Sequence, residues 1–257
     1  MDKNVKKKHR VKKKVNPNKV MIVLLFVLMF AFSMSAVLVS DLFNVKYIEV
    51  TGNDRVTKSS ILNTVDKNGD LLRNKNIFMF SKKDVEEKIK KNPYIDVVEV
   101  DRKLPNKIVV KIQEKEIFVT LKNGDNYCYI DRDGNLLEEL KGTNESKNDK
   151  IVEIDYAIEK YNKIKFRDNK TKNKFYLLMS ALEKYGMFGE TKLVNMQGDS
   201  NIDMLTRGNI KILLPNDENL DYNIHRVSKV VVDLNNKKIS SGSVDLTQNK
   251  YAVYSPE

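Results

Sequence analysis

From Val20 to Val39 the chain runs for 20 residues without a charge, VMIVLLFVLMFAFSMSAVLV. Wound as a helix at ~1.5 Å per residue, the run is about 30 Å long, the thickness of a bilayer's hydrocarbon core. A charged side chain at that depth is expensive, and the run contains none. The sequence therefore predicts a single transmembrane helix over residues 20–40. A second reading is a cleaved leader, because Ser33 and Ser35 supply the small-x-small pattern that a signal peptidase takes. Against it, the apolar run continues to Val39 and the basic segment before it is long. We read the run as an anchor.

Charge fixes the orientation. The chain carries 46 Lys and Arg against 35 Asp and Glu, a formal +11. Residues 1–19 hold nine of those basic residues against Asp2 alone, a net +8, which leaves +3 for the other 238 residues. Basic flanks stay on the cytoplasmic side, so residues 1–19 are read as a cytoplasmic tail and residues from 41 onward as extracytoplasmic. Topology and attraction to acidic lipid account for the tail. It has no interleaved aromatic to stack on bases, so nucleic acid is not a predicted partner.

The chemistry census finds no catalytic constellation. Cys128 is the sole cysteine, so no intramolecular disulfide can staple the fold. It sits in a strand-like Tyr127-Cys128-Tyr129-Ile130 and reads as a core residue. His9 lies in the tail, which leaves His225 as the one extracytoplasmic imidazole, on a helix surface or half-buried. A Cys128–His225 dyad has no nucleophile motif around it. Ser-x-x-Lys of the penicillin-binding type and Gly-x-Ser-x-Gly are both missing. Asp131-x-Asp133-Gly134 places its glycine two positions early for a calcium loop and reads as a hairpin turn. One Cys and one exterior His cannot assemble a zinc site. The expectation is a non-enzyme without metal or cofactor.

Periodicity outlines the outer region. Residues 44–50 read as a strand ending at a Thr51-Gly52-Asn53-Asp54 turn. Thr57 opens a helix with Ile61, Leu62 and Val65 on one face. A polar loop leads to Ile77-Phe78-Met79-Phe80, a compact apolar anchor. Ser81 to Asp84 starts a second helix in the manner of a capping box, carrying Val85 and Ile89 and ending before Asn92-Pro93. Residues 94–100 and the alternating Ile108, Val110, Ile112 read as strands joined by Leu104-Pro105-Asn106. An antiparallel meander is expected over 117–140, with Asn123-Gly124 as a hairpin turn, then a polar loop at 141–150. Two helices are expected next, one with Ile154, Ala157, Ile158 and Tyr161 on a face and one with Phe175, Leu178, Met179, Leu182 and Tyr185, separated by a loop at 167–174. Strands follow at 191–196, 202–206 and through Ile210, Ile212 and Leu214. Asp221 is read as the cap of a last helix bearing Ile224, Val227, Val231 and Leu234, and a strand pair closes the chain near 239–246 and 250–254.

The stretch from Phe43 to Glu114 resembles a POTRA domain, a β-α-α-β-β module. The residues that carry the resemblance are Ile48-x-Val50-x-Gly52-Asn53 and Asn92-Pro93-Tyr94-Ile95, then Val100-x-Arg102-x-x-Pro105-x-x-Ile108-x-Val110-x-Ile112-x-Glu114. A basic tail, one membrane pass and one such module directly after it resemble the FtsQ/DivIB family of bitopic cell-division proteins. Tyr129 to Gly134 is similar to that family's turn into its β domain, and Val244-Asp245-Leu246 to its closing strand. Where the family often has a basic residue after the closing Asp-Leu, this chain has Thr247. The resemblance implies an α+β fold: a single transmembrane helix, a POTRA domain over 41–115, and over 116–257 a mixed α/β domain with antiparallel sheet and a C-terminal partner-binding strand. It also implies binding to FtsL-like and FtsB/DivIC-like bitopic proteins, and indirect action on the septal peptidoglycan synthase, at the division septum of the cell membrane. The candidate partner-binding residues are Ser243, Val244, Asp245, Leu246, Thr247 and Gln248, read as an exposed sheet edge beside the edge that the POTRA domain itself offers. The rival readings are a membrane-tethered POTRA assembly factor or chaperone for another exported protein, and a wall-modifying enzyme that carries a POTRA.

Overall fold

The computed structural model describes residues 16–65, 72–140, 150–160, 162–248 and 251–256. Most of the basic tail, most of the polar loops expected after residue 65 and at 141–150, and Tyr161 lie outside the described residues. The first helix, α1, runs Pro17–Val39, with Asn16 as its N-cap accepting from the amide of Asn18. Proline at its first position costs no hydrogen bond, because that amide has no helical partner anyway. The helix is 23 residues long, and none of its most apolar 18-residue window is buried. An all-round apolar helix with no protein cover has the length and composition of a membrane span.

By contact the chain divides into two compact units, Met1–Ile89 with Val97–Ile112, and Lys90–Asp96 with Gln113–Glu257. Beyond α1, the first unit holds strand β1 (Tyr47–Thr51), helices α2 (Lys58–Val65) and α3 (Lys82–Ile89), and strands β2 (Ile95–Lys103) and β3 (Lys107–Glu114). The sheet order is β1-β3-β2, with β1 parallel to β3. The α2 start is capped by the Thr57 hydroxyl, which accepts from Ser60, and the α3 start by Ser81, which accepts from Asp84. Alternation in β3 buries Ile108, Val110 and Ile112, and the helices bury Ile61, Val65, Val85 and Ile89. Gly52 leaves β1 at φ +80°, where a Cβ would lie 2.0 Å from the carbonyl oxygen of Ile112. Only glycine fits both that backbone and that approach.

The second unit is built on a nine-stranded sheet. Its strands are β4 (Val119–Asn123), β5 (Asn126–Ile130), β6 (Leu136–Leu140), β7 (Ile151–Glu153), β10 (Thr191–Asn195), β11 (Asn201–Thr206), β12 (Lys211–Pro215), β13 (Ser243–Asp245) and β14 (Val253–Ser255). Strands β8 (Tyr156–Glu159) and β9 (Lys163–Phe166) form a separate hairpin, and helices α4 (Asn169–Lys184) and α5 (Leu220–Asn236) complete the unit. The sheet order is β14-β13-β12-β11-β10-β7-β4-β5-β6. Neighbours are antiparallel except at β13–β12, β10–β7 and β7–β4, which are parallel. One row of register partners crosses it from Val244 through Ile212, Met204, Val194, Val152 and Leu121 to Cys128. All seven belong to one core with Leu178 and Leu182 of α4 and Val227 and Val231 of α5. With period 2 in the strands, this row is the face that packs on the helices.

The α+β class is as the sequence implied, but three local expectations are corrected. Residues 151–166 form strands β7, β8 and β9 and not a helix: Ile154 is fully buried while Ala157 and Ile158 are exposed, so the three share no buried helical face. The loop expected at 167–174 is largely helix, because Asp168 caps α4 by accepting from the amide of Thr171 at 2.7 Å. Helix α5 begins one residue before Asp221, which makes no capping bond. Instead Asp221 accepts from the Lys184 ammonium at 2.9 Å and from the Tyr185 hydroxyl at 2.9 Å, and those bonds hold its carboxyl below the usual range.

Candidate partner-binding surface

Strand addition needs a backbone edge whose N–H and C=O groups point to solvent. The three-stranded sheet has β1 and β2 at its edges, and each is met by a side chain from a helix of the same unit. Glu86 of α3 accepts from the amide of Val100 on β2 at 2.9 Å. Lys58 of α2 donates to the carbonyl of Ile48 on β1 at 2.6 Å. Farther along β2, the Arg102 guanidinium donates to the carbonyl of Phe80 at 2.6 Å and stands 4.7 Å from the Phe80 ring centre. The Glu86 and Lys58 contacts occupy backbone groups that an incoming strand would use. The POTRA edge expected from sequence is thus partly closed by its own helices.

The expected second edge, Ser243 to Gln248, is also corrected. Strand β13 covers Ser243–Asp245 and is flanked on both sides, by β12 and by β14. Val244 is fully buried and Leu246 is 4% exposed, both in the core cluster. The alternation that suggested a strand points these two side chains at the helices, where no partner reaches them. Asp245 Oδ1 accepts from the amide of Thr247 at 2.7 Å and from its hydroxyl at 2.6 Å, which turns the chain out of the strand. Thr247 therefore has a local partner where the resemblance led us to look for a basic residue. Gln248 lies outside any strand, and Ser243 is half-buried in the register with Lys211 and Ser255.

The outer strand on that side is β14. It pairs antiparallel with β13, Ser243 to Ser255 and Asp245 to Val253, and no other described strand pairs with its far side. Its placement has two causes in sequence. The Tyr254 ring packs on the core while its hydroxyl donates to the carbonyl of Ser241 at 2.8 Å. Gly242, at φ +113°, leaves room for the strand: a Cβ there would lie 2.6 Å from the carbonyl oxygen of Ser255 and 2.7 Å from the Tyr254 ring. Tyr251 is 78% and Val253 42% exposed, so two apolar side chains stand in solvent along this edge. Sequence reasoning chose the neighbouring strand. The signal for β14 was the aromatic and β-branched Tyr251-Ala252-Val253-Tyr254 itself.

The residues singled out for chemistry have structural partners. Cys128 is fully buried, and burial pushes its thiol up to about 11, so it is protonated and poorly nucleophilic at neutral pH. Its near neighbours are Tyr156 and Glu139. His225 stacks on Tyr185, ring centres 4.7 Å apart. Both oxygens of Asp131 are engaged. Oδ1 accepts from the amides of Asp133 and Asn135, and Oδ2 from the Asn135 side chain at 2.7 Å and Lys115 at 2.9 Å. That fixes a hairpin turn. Among the described residues, no group of three or more His, Cys, Asp or Glu could hold a metal ion.

Residues 43–115 match the model of the POTRA domain, FtsQ-type. The cell division protein DivIB of Clostridium tetani is 32% identical over 194 residues, covering 74% of this chain and 70% of that protein. The chain belongs to the FtsQ/DivIB family. The match reaches past the POTRA module, since 194 residues far exceed it. The cell division protein DivIB of Bacillus subtilis is 30% identical over 131 residues, about half of each chain at 51% and 48%. Within the family, this chain has an apolar N-terminal helix suited to a membrane, a POTRA whose sheet edges are engaged by helix side chains, and a second unit ending in an open strand.

Proposed function

We propose that this chain is a single-pass membrane protein of the division septum, with its tail in the cytoplasm. It helps recruit and stabilise the septal peptidoglycan synthesis machinery by protein–protein binding and has no catalysis of its own. Its partners on this reading are FtsL-like and FtsB/DivIC-like bitopic proteins, through which it acts on the synthase. The observation that carries the reading is the outer side of β14, which no other described strand pairs, beside exposed Tyr251 and Val253, in a member of a cell-division family. An extended partner segment would add there through main-chain hydrogen bonds, with side chains at alternate positions setting specificity. A strand edge of this kind is a liability unless something covers it.

The test places a fluorescent tag on the cytoplasmic tail and a photo-crosslinking residue at Tyr251 or Val253. The reading expects a band at midcell late in the cycle and crosslinks to small bitopic membrane proteins. Uniform envelope labelling with crosslinks to unrelated exported proteins would replace it with a membrane-tethered assembly factor.

A further inference from the structure

The end of α1 is fastened to a loop of the first unit. The Asn76 side-chain amide donates to the carbonyl of Leu38 at 2.7 Å, one residue before the helix ends at Val39. Asn76 is 8% exposed, and its oxygen accepts from the amide of Phe78 at 3.0 Å. The amide of Ile77 donates to the carbonyl of Phe43 at 2.8 Å, and the rings of Phe43 and Phe78 are 5.4 Å apart. The loop therefore sits within about one helical turn, ~5 Å, of the end of the apolar run.

What the loop and the turn after α1 (Asp41–Phe43) present there is apolar. Met79 is 73%, Leu42 54% and Phe78 43% exposed. Exposed Arg73, Lys75 and Lys83 flank them in sequence. A soluble face has little reason to expose a phenyl ring, a thioether and a leucine together, whereas the boundary between acyl chains and headgroups favours apolar and aromatic groups ringed by cations. We propose that Leu42, Phe78 and Met79 form an interfacial foot, seated in the outer leaflet around the emerging helix, with the neighbouring cations toward lipid phosphates. The foot would fix the tilt of the first unit on the membrane, since one helix alone leaves it free to swing. The inference rests on α1 crossing the bilayer.

The chain has no tryptophan, so single substitutions report without background. Full-length Phe78→Trp, Met79→Trp, Phe30→Trp and Tyr47→Trp would be reconstituted at low protein-to-lipid ratio in phosphatidylcholine–phosphatidylglycerol vesicles, with and without brominated acyl chains. The expected result is blue-shifted emission from Phe78→Trp and Met79→Trp, lost with bromine near the carbonyl end of the chains and shielded from aqueous iodide. Emission like that of Tyr47→Trp, open to iodide, would overturn the proposal. So would blue-shifted emission indifferent to brominated lipid, which would mean protein cover. Phe30→Trp separates the two readings. If deep bromines quench it while Phe78→Trp stays aqueous, the anchor stands and the foot falls. If they do not, the membrane anchor itself fails and the foot with it.

Discussion

The hydroxyl of Tyr254 donates to the carbonyl of Ser241 over 2.8 Å, tying the outermost strand of the large sheet to the turn that precedes its neighbour. That bond, the packing of the Tyr254 ring on the core, three register pairs and the space at Gly242 hold β14 in place. A strand this short is held by few contacts, and its position is open to test.

Gly242→Ala should release β14 without unfolding the unit. Forcing a non-glycine residue to positive φ costs about 1–3 kcal/mol, and the Cβ meets both Ser255 and Tyr254. Hydrogen exchange should show faster amides at 253–255 with the core row around Ile212 unchanged, and crosslinking from Tyr251 should be lost.

Tyr251→Asp and Val253→Asp should abolish partner capture and leave thermal stability nearly unchanged, because both side chains are exposed. Val244→Asp should act differently. Val244 is fully buried, and an unpaired carboxylate in the core costs about 3–5 kcal/mol. Its loss of binding should come with a lowered melting temperature and rapid proteolysis. Normal capture by Tyr251→Asp and Val253→Asp together would remove β14 as the site.

The Asp131 turn should make the second unit acid-sensitive. Burial pushes this carboxyl up, but the hydrogen bonds from Asn135 and Lys115 outweigh it and leave it below the usual range. With the folded value depressed, its contribution is present above the unfolded carboxylate value of ~3.9 and fades as pH falls through the folded value. Denaturant midpoints measured from neutral pH down to below 4 should fall for the native chain. They should fall less steeply for Asp131→Asn, which is also less stable at pH 7.

Cys128 should resist thiol reagents in the folded protein and react fully in denaturant. Its burial and its displacement to about 11 both suppress the thiolate. Rapid modification under native conditions would contradict the sheet register that places it opposite Leu121.

Much of this architecture was legible in the sequence where one period dominated. The charge-free run, the alternating Ile108, Val110 and Ile112, and the capped starts at Thr57 and Ser81 each carry their own local signal. The segment 151–166 did not. Ile154 and Ile158 happen to be four apart, while the alternation of Lys163 to Phe166, and Asn162 at φ +57°, mark a hairpin. The start of α4 was hidden for a different reason: its first turn is wholly polar, and the cap at Asp168 precedes any apolar residue. The outermost strand was misplaced by one, because alternation tells which residues share a face and not which strand lies at the edge.

The middle of the large sheet has a kinetic consequence. The meanders β4-β5-β6 and β10-β11-β12 are made of sequence neighbours, and hairpins of that kind close in about 1–10 μs. Among the described strands of the sheet they are joined through β7, three residues long and parallel to the strand on each side. That seam is predicted to form late, since parallel pairing between remote segments needs loops closed before any contact rewards them. Until Val152 slides between Leu121 and Val194, two half-sheets stand with open inner flanks. The folding time of the second unit is predicted to be set there, at its centre.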